Sequence, residues 1–178
     1  MAGIWEQRSI FRLVRMVLLA SLGLMAVFIE AAPLGLTPDA LPSPDLLFCV
    51  IAYWALRRPG STPMLLVFAL GLCRDFLTDA PVGAGALSLV LAAEGLKQVR
   101  GWVALQPLPL EWAVIGLVAA GTLALQWLLV VITLGQPPYL SQIGLQLSFT
   151  FLAYLPVLIA FRWILRIGWR QERSVRAR

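Results

Sequence analysis

Six apolar runs, each stopped by proline, glycine or a knot of charge, leave this chain little choice of environment. They cover about 13–32, 44–57, 63–77, 84–98, 111–134 and 145–167. The apolar residues come in blocks rather than strict alternation, which points to helices and away from a transmembrane β-barrel. Only 13% of the 178 residues are charged and 60% are hydrophobic, about half the charge of a soluble domain. The expected fold is an all-α integral membrane protein, one transmembrane domain over 1–178 with a basic tail at 168–178.

The positions of the basic residues set the orientation. Six alternating spans with the N-terminus inside put Arg8, Arg12, Arg15, Arg57, Arg58, Lys97 and Arg100 on the cytoplasmic side. Arg162, Arg166, Arg170, Arg173, Arg176 and Arg178 fall there too, so thirteen of the fourteen basic residues lie inside and only Arg74 outside. Glu30, Asp39, Asp45, Asp75 and Asp79 take the opposite side. Both termini are therefore expected inside. The net charge of +5 then reflects membrane topology, not nucleic-acid binding, and the arginine tail is suited to anionic lipid. Arg8, Arg12 and Arg15 precede the first run as in a signal peptide. That run ends at Glu30-Ala31-Ala32-Pro33 without a small-x-small cleavage site and reads as an uncleaved span.

Catalytic material is scarce. There is no histidine, and Cys49 and Cys73 stand at no ligand spacing, which argues against a structural zinc site or a Cys–His pair. Neither cofactor nor metal is expected, and enzyme chemistry has no obvious nucleophile beside a base.

The segment Gly71 to Gly83 is the exception to the apolar pattern, since it carries Arg74, Asp75 and Asp79 between two hydrophobic runs. Charges in such a place are costly unless paired, hydrated or useful. The second span starts at Ser43-Pro44-Asp45, with serine as cap, proline in the first turn and aspartate at the positive dipole end. The third starts at Thr62-Pro63 by the same logic. Each is about 15 residues, roughly 22 Å, and falls short of the ~30 Å hydrocarbon core. Joined at Arg57-Arg58-Pro59-Gly60, they form an antiparallel hairpin. A turn centred near Gly60 brings Asp45 level with Asp75 and predicts a cluster of Asp45, Arg74 and Asp75, with Asp79 close by. Two readings stand: a hydrated network bracing the helix ends, or an outward site that grips a partner.

Elsewhere, Ala84, Ser88 and Ala92 form a small-residue face, as do Gly116, Ala120 and Ala124, and internal packing is the first use for both. Glu94 and Lys97 suit an intrahelical pair, Gln126 a bond to a neighbouring helix, and Pro156 a kink. Trp102, Trp112, Trp163 and Trp169 sit where an inner aromatic belt belongs.

The ordered set Pro44, Asp45, Tyr53, Trp54, Arg57, Arg58, Pro59, then Gly71, Leu72, Asp75, Leu77, Pro81 and Gly83 resembles the MreD family, bacterial rod shape-determining membrane proteins. Asp79 departs from the glycine common there. The resemblance is best over Pro44 to about Gly95. It implies a non-enzymatic component of the cell-elongation complex in the bacterial cytoplasmic (inner) membrane. The implied partners are an MreC-like protein, MreB, a RodA-type glycosyltransferase and a class B penicillin-binding protein. It also implies a fold similar to the substrate-binding subunits of energy-coupling-factor transporters, six helices of unequal length. The rival reading is such a subunit of a vitamin or small-molecule importer. Those subunits typically carry an Ala-x-x-x-Ala docking motif on the first helix. Span one offers Ala20, Gly23 and Ala26 but has Leu24 four residues after Ala20, so the motif is absent there.

Overall fold

A computed structural model of the protein describes residues 2–32, 44–78, 81–103, 108–133 and 140–176. Six α-helices account for nearly all of them: α1 (Ala2–Ala31), α2 (Leu46–Arg57), α3 (Met64–Leu77), α4 (Ala84–Val103), α5 (Leu108–Ile132) and α6 (Leu140–Arg176). A short 3-10 turn, Pro59–Ser61, joins α2 to α3.

The organising element is α2. It is apolar on every side, and every residue from Leu47 to Leu56 is buried. A helix hydrophobic all round belongs inside other helices. It packs on α1, α4 and α6, while the contacts α1–α3, α3–α4, α4–α5 and α5–α6 complete the periphery around it. Aromatic rings lock α2 to α6: Phe161 stacks on Tyr53 with centroids 5.0 Å apart and meets Trp54 edge-on at 5.4 Å.

The expected hairpin therefore takes a different form. The turn falls at Pro59–Ser61, near Gly60, but α2 and α3 pack chiefly on α1 and α4 rather than on each other. Two glycines explain why α3 is drawn sideways. A Cβ on Gly71 would lie 2.5 Å from the Ala86 Cα, and one on Gly23 would lie 2.6 Å from Leu70 Cδ1. Bare backbone at these positions lets α3 close against α4 and α1.

Successive helices run in opposite directions. Glu30, Asp45, Arg74 and Thr150 meet at one end of the bundle. At the other, Arg57 reaches Glu111 and Lys97 Nζ donates to the Thr62 carbonyl at 2.7 Å. The N-terminal end of α1 and the C-terminal end of α6 both point to this Arg57 end.

Among the described residues, three stretches are long and apolar enough to cross a bilayer by themselves: Arg12–Ala31, Pro109–Ile132 and Ser141–Phe161. α2 has only 12 residues, but its neighbours sheathe it, so its own length is not what meets lipid. Three elements clearly outrun their expected limits. α1 does so at its start, at Ala2 against about 13. α4 continues to Val103, past Lys97, which pairs with Glu94 at 2.7 Å and donates to the Thr62 carbonyl. α6 is one helix to Arg176, with Pro156 inside it and most of the expected tail helical.

The caps differ as well. Ser43 lies outside the described residues, and Asp45 is the cap of α2, its Oδ1 accepting from the Phe48 N–H at 2.8 Å. At α3 the cap position is Pro63, and Thr62 Oγ1 instead donates back to the Pro59 carbonyl at 3.0 Å.

Candidate functional site

Arg74 is the only cation at the Asp45 end among the described residues, and it stands on the last turn of α3. Its Nη1 donates to Asp45 Oδ2 at 2.9 Å, and its Nε lies 3.1 Å from Glu30 Oε2. The second is a charge contact without hydrogen-bond alignment, since Glu30 Oε2 is buried with no hydrogen-bond partner. The other Glu30 oxygen accepts from the Leu47 N–H at 2.8 Å. Asp45 also gives its backbone N–H to Thr150 Oγ1 at 3.0 Å, and that hydroxyl passes its own proton to the Gln146 carbonyl. One guanidinium thus ties α1, α2 and α3, and the cap residue ties α6 to them.

Asp75, the next residue, turns away. Its Oδ2 accepts from the Gly83 N–H at 2.9 Å and the Ala86 N–H at 3.2 Å. It is buried and caps the start of α4 from the end of α3. Glycines shape this corner. Gly83 has φ +95°, which a side chain would strain, and a Cβ on Gly85 would strike Asp75 Oδ1. Beside Asp75 opens a cavity of about 80 Å³, lined by Arg74, Asp75, Thr78, Ala84, Gly85 and Gln126 among others.

The sequence comparison decides the family. The model of the rod shape-determining protein MreD matches residues 10–136, well over half of the chain. The chain belongs to the MreD family. It matches no curated protein and no solved structure. Like other members of a family of bacterial membrane proteins concerned with rod shape, this MreD-family chain carries apolar helices able to enter a bilayer.

Of the residues that carried the resemblance, Tyr53 and Trp54 are the buried core of α2, Gly71 is the α3–α4 contact, and Asp75 with Gly83 forms the α4 cap. Pro44 accepts the Leu46 N–H at 2.9 Å, and Pro81 the Ala84 N–H at 3.0 Å. The structure brings Asp45 and Arg74 together and gives Asp75 a separate task. Asp79 and Asp39 lie outside the described residues.

Along α4, Ser88 and Ala92 are buried and Ala84 borders the cavity. On α5 the proposed face is divided. Gly116 packs against the Phe151 ring and Ala120 is partly buried, but Ala124 is exposed. The inward stripe is Ile115, Ala119 and Leu123, because burial follows the face turned to α4 and α6 rather than the smallest side chains. Gln126 Nε2 donates to Ser88 Oγ at 2.9 Å, an α5–α4 bond. Trp112 ties α5 to α6: its ring stacks on Phe151 at 4.0 Å and its Nε1 donates to the Phe151 carbonyl at 3.0 Å. Trp102 is exposed, while the side chains of Trp163, Trp169 and the tail arginines lie outside the described residues.

Two members of the network were missed from sequence. Glu30 had a signal: a carboxylate in the last turn of a helix opposes the dipole and needs a partner. Thr150 had none, since a threonine inside a helix ordinarily spends its hydroxyl on the preceding turn, as this one does.

Proposed function

We propose that this chain is a multi-pass, non-enzymatic scaffold of the cell-elongation machinery in the bacterial cytoplasmic membrane, with both termini inside. It binds an MreC-like partner at the Asp45 end and supports peptidoglycan synthases of the RodA and class B penicillin-binding types, with MreB on the cytoplasmic side. The observation that carries this reading is the family match combined with a braced, charged end whose cavity opens beside Arg74 and Gln126. Alternating helix directions and basic residues gathered at the Arg57 end favour the inside placement of both termini. The six unequal helices are compatible with a fold like that of energy-coupling-factor substrate-binding subunits. The rival reading is an importer's substrate-binding subunit, and the absence of an Ala-x-x-x-Ala motif from the first helix, where Leu24 stands four residues after Ala20, counts against it.

In this reading the Glu30–Arg74–Asp45 network and Asp75 brace the end, and the exposed rim receives the partner. Thr78, exposed at the cavity mouth, is the residue to change. Thr78→Trp should reduce capture of a co-expressed MreC-like protein by about ten-fold, the scale of a lost hot spot, with the amount of membrane-extracted protein unchanged. Full capture by the Thr78→Trp chain would remove the partner from this end.

A further inference from the structure

The bundle offers very different apolar heights on its two sides. On the α3 side, exposed apolar side chains begin at Met64 and Leu65 and end at Phe76 and Leu77. The 14 residues of α3 rise about 21 Å at 1.5 Å each. Its neighbour α4 does not extend that belt. It exposes Leu87 and Leu91, but toward the Arg57 end a polar layer interrupts the apolar surface: Glu94, 43% exposed and paired with Lys97, and exposed Arg100. Val99 and Trp102 are exposed among and just past them, at the level of these charges. Across the bundle, α5 exposes apolar residues from Leu110 to Ile132, a rise of about 33 Å. The hydrocarbon core is about 30 Å thick, so α5 meets it and α3 falls short by about 9 Å.

We propose that the α3–α4 face holds a locally thinned bilayer and takes lipids with shorter acyl chains than those around α5. This rests on α3 crossing the membrane, as in the multi-pass reading above. Charged groups fix the depth at both ends: Arg58, Glu94 and Lys97 at one, and Arg74 with Glu30 and Asp45 at the other. Sliding α3 to cover a full-thickness core would drag one of these sets into hydrocarbon, which costs more than thinning the lipid. The protein is then a wedge in membrane thickness, thin beside α3 and full height beside α5.

The test places a fluorescent bimane on Phe68→Cys and, separately, on Leu117→Cys. Cys73→Ala serves as background, because Cys49 is buried. Should that background fold poorly, Cys73→Ser replaces it. Each full-length variant goes into phosphatidylcholine vesicles containing brominated phosphatidylcholine with chains of 14, 18 or 22 carbons, and quenching reports which lipid touches the label. At position 68 the 14-carbon lipid should bind at least about two-fold more strongly than the 18-carbon lipid, and at position 117 that order should reverse. The same chain-length order at both positions would overturn the proposal. So would a label at 68 that no brominated lipid quenches, since a protein neighbour would then cover the face. Topology is read separately with Gly60→Cys and Val82→Cys and a membrane-impermeant maleimide. Labelling of both from one side would sink the crossing of α3 itself, whatever the lipids show.

Discussion

The two ends of α2 hold charge in different ways. At the Asp45 end the Arg74 side chain is 12% exposed and faces Glu30 and Asp45 at 4% and 5%. At the other end Arg57 is 38% exposed and grips Glu111 alone, its Nη2 lying 2.9 and 2.7 Å from the two carboxylate oxygens. The first is a dry network with more carboxylates than cations, reaching three helices. The second is a balanced clamp open to solvent. The difference follows from the packing. α2 and α3 do not lie side by side, so only a long, forked cation can close the gap between their ends. At the Arg57 end the chain itself makes the connection through Pro59–Ser61, and the ion pair has only α5 left to hold.

The sharpest way to break this comparison is Arg74→Met. It leaves two buried carboxylates without their cation, and removing one partner of a buried pair typically costs about 3–5 kcal/mol. The variant should lose most of its resistance to thermal unfolding in detergent. Arg74→Lys should fall between, because its ammonium keeps the charge but lacks the reach and the planar fork of the guanidinium. If Arg74→Met unfolds no more easily than Arg57→Met, the distinction between the two ends fails.

Next in size is Gly71→Ala. The new methyl would meet Ala86 backbone at 2.5 Å, and backbone cannot swing away as a side chain can. The α3–α4 pair must part, at a cost of about 1–3 kcal/mol as for other overpacked contacts. Gly60→Ala is the control: nothing lies within 4 Å of its Cβ, so its melting temperature should stay near that of the parent chain. A Gly71→Ala chain that melts like the control would mean α3 is not held by that close approach. Because Arg74 rides on α3, the substitution should also weaken the Asp45 end and leave the Arg57 clamp intact.

Arg57→Met comes third. With Arg57 more than a third exposed, the loss is screened and should amount to about 1 kcal/mol. It should shrink further in high salt, whereas the Arg74 effect should not. A salt-insensitive loss at Arg57 would show that the two ends are alike in dryness.

Much of this contrast was legible in the residues, and the failures have physical causes. The apolar runs located every helix, and counting residues back from Gly60 put Asp45 beside Arg74, because helical rise is regular. The same counting could not show that α3 leans on α4 and α1, since that depends on Gly23 meeting the Leu70 side chain and Gly71 meeting the Ala86 backbone. Asp75 looked like a third member of the charge cluster. Neighbours in sequence on a helix point about 100° apart, and its direction was set by the Gly83 and Ala86 N–H groups of the next helix. Helix ends at α4 and α6 were misplaced for a simpler reason. A lysine or arginine marks where the apolar pattern stops, not where the backbone does.

The smallest effect tests whether burial alone makes a polar contact strong. Ser88 is fully buried and accepts from Gln126 Nε2 at 2.9 Å, close to the cavity at the Asp45 end. Neither partner carries a charge, and an unfolded helix in the membrane lets glutamine find other partners. A double-mutant cycle of Ser88→Ala with Gln126→Leu, read by unfolding in detergent, should therefore give a coupling of about 0.6 kcal/mol, the usual scale for such bonds. A coupling above about 2 kcal/mol would place this bond with the Arg74 network, as part of one cooperative brace. The contrast between the ends would then be one of connectivity, with charge a secondary matter.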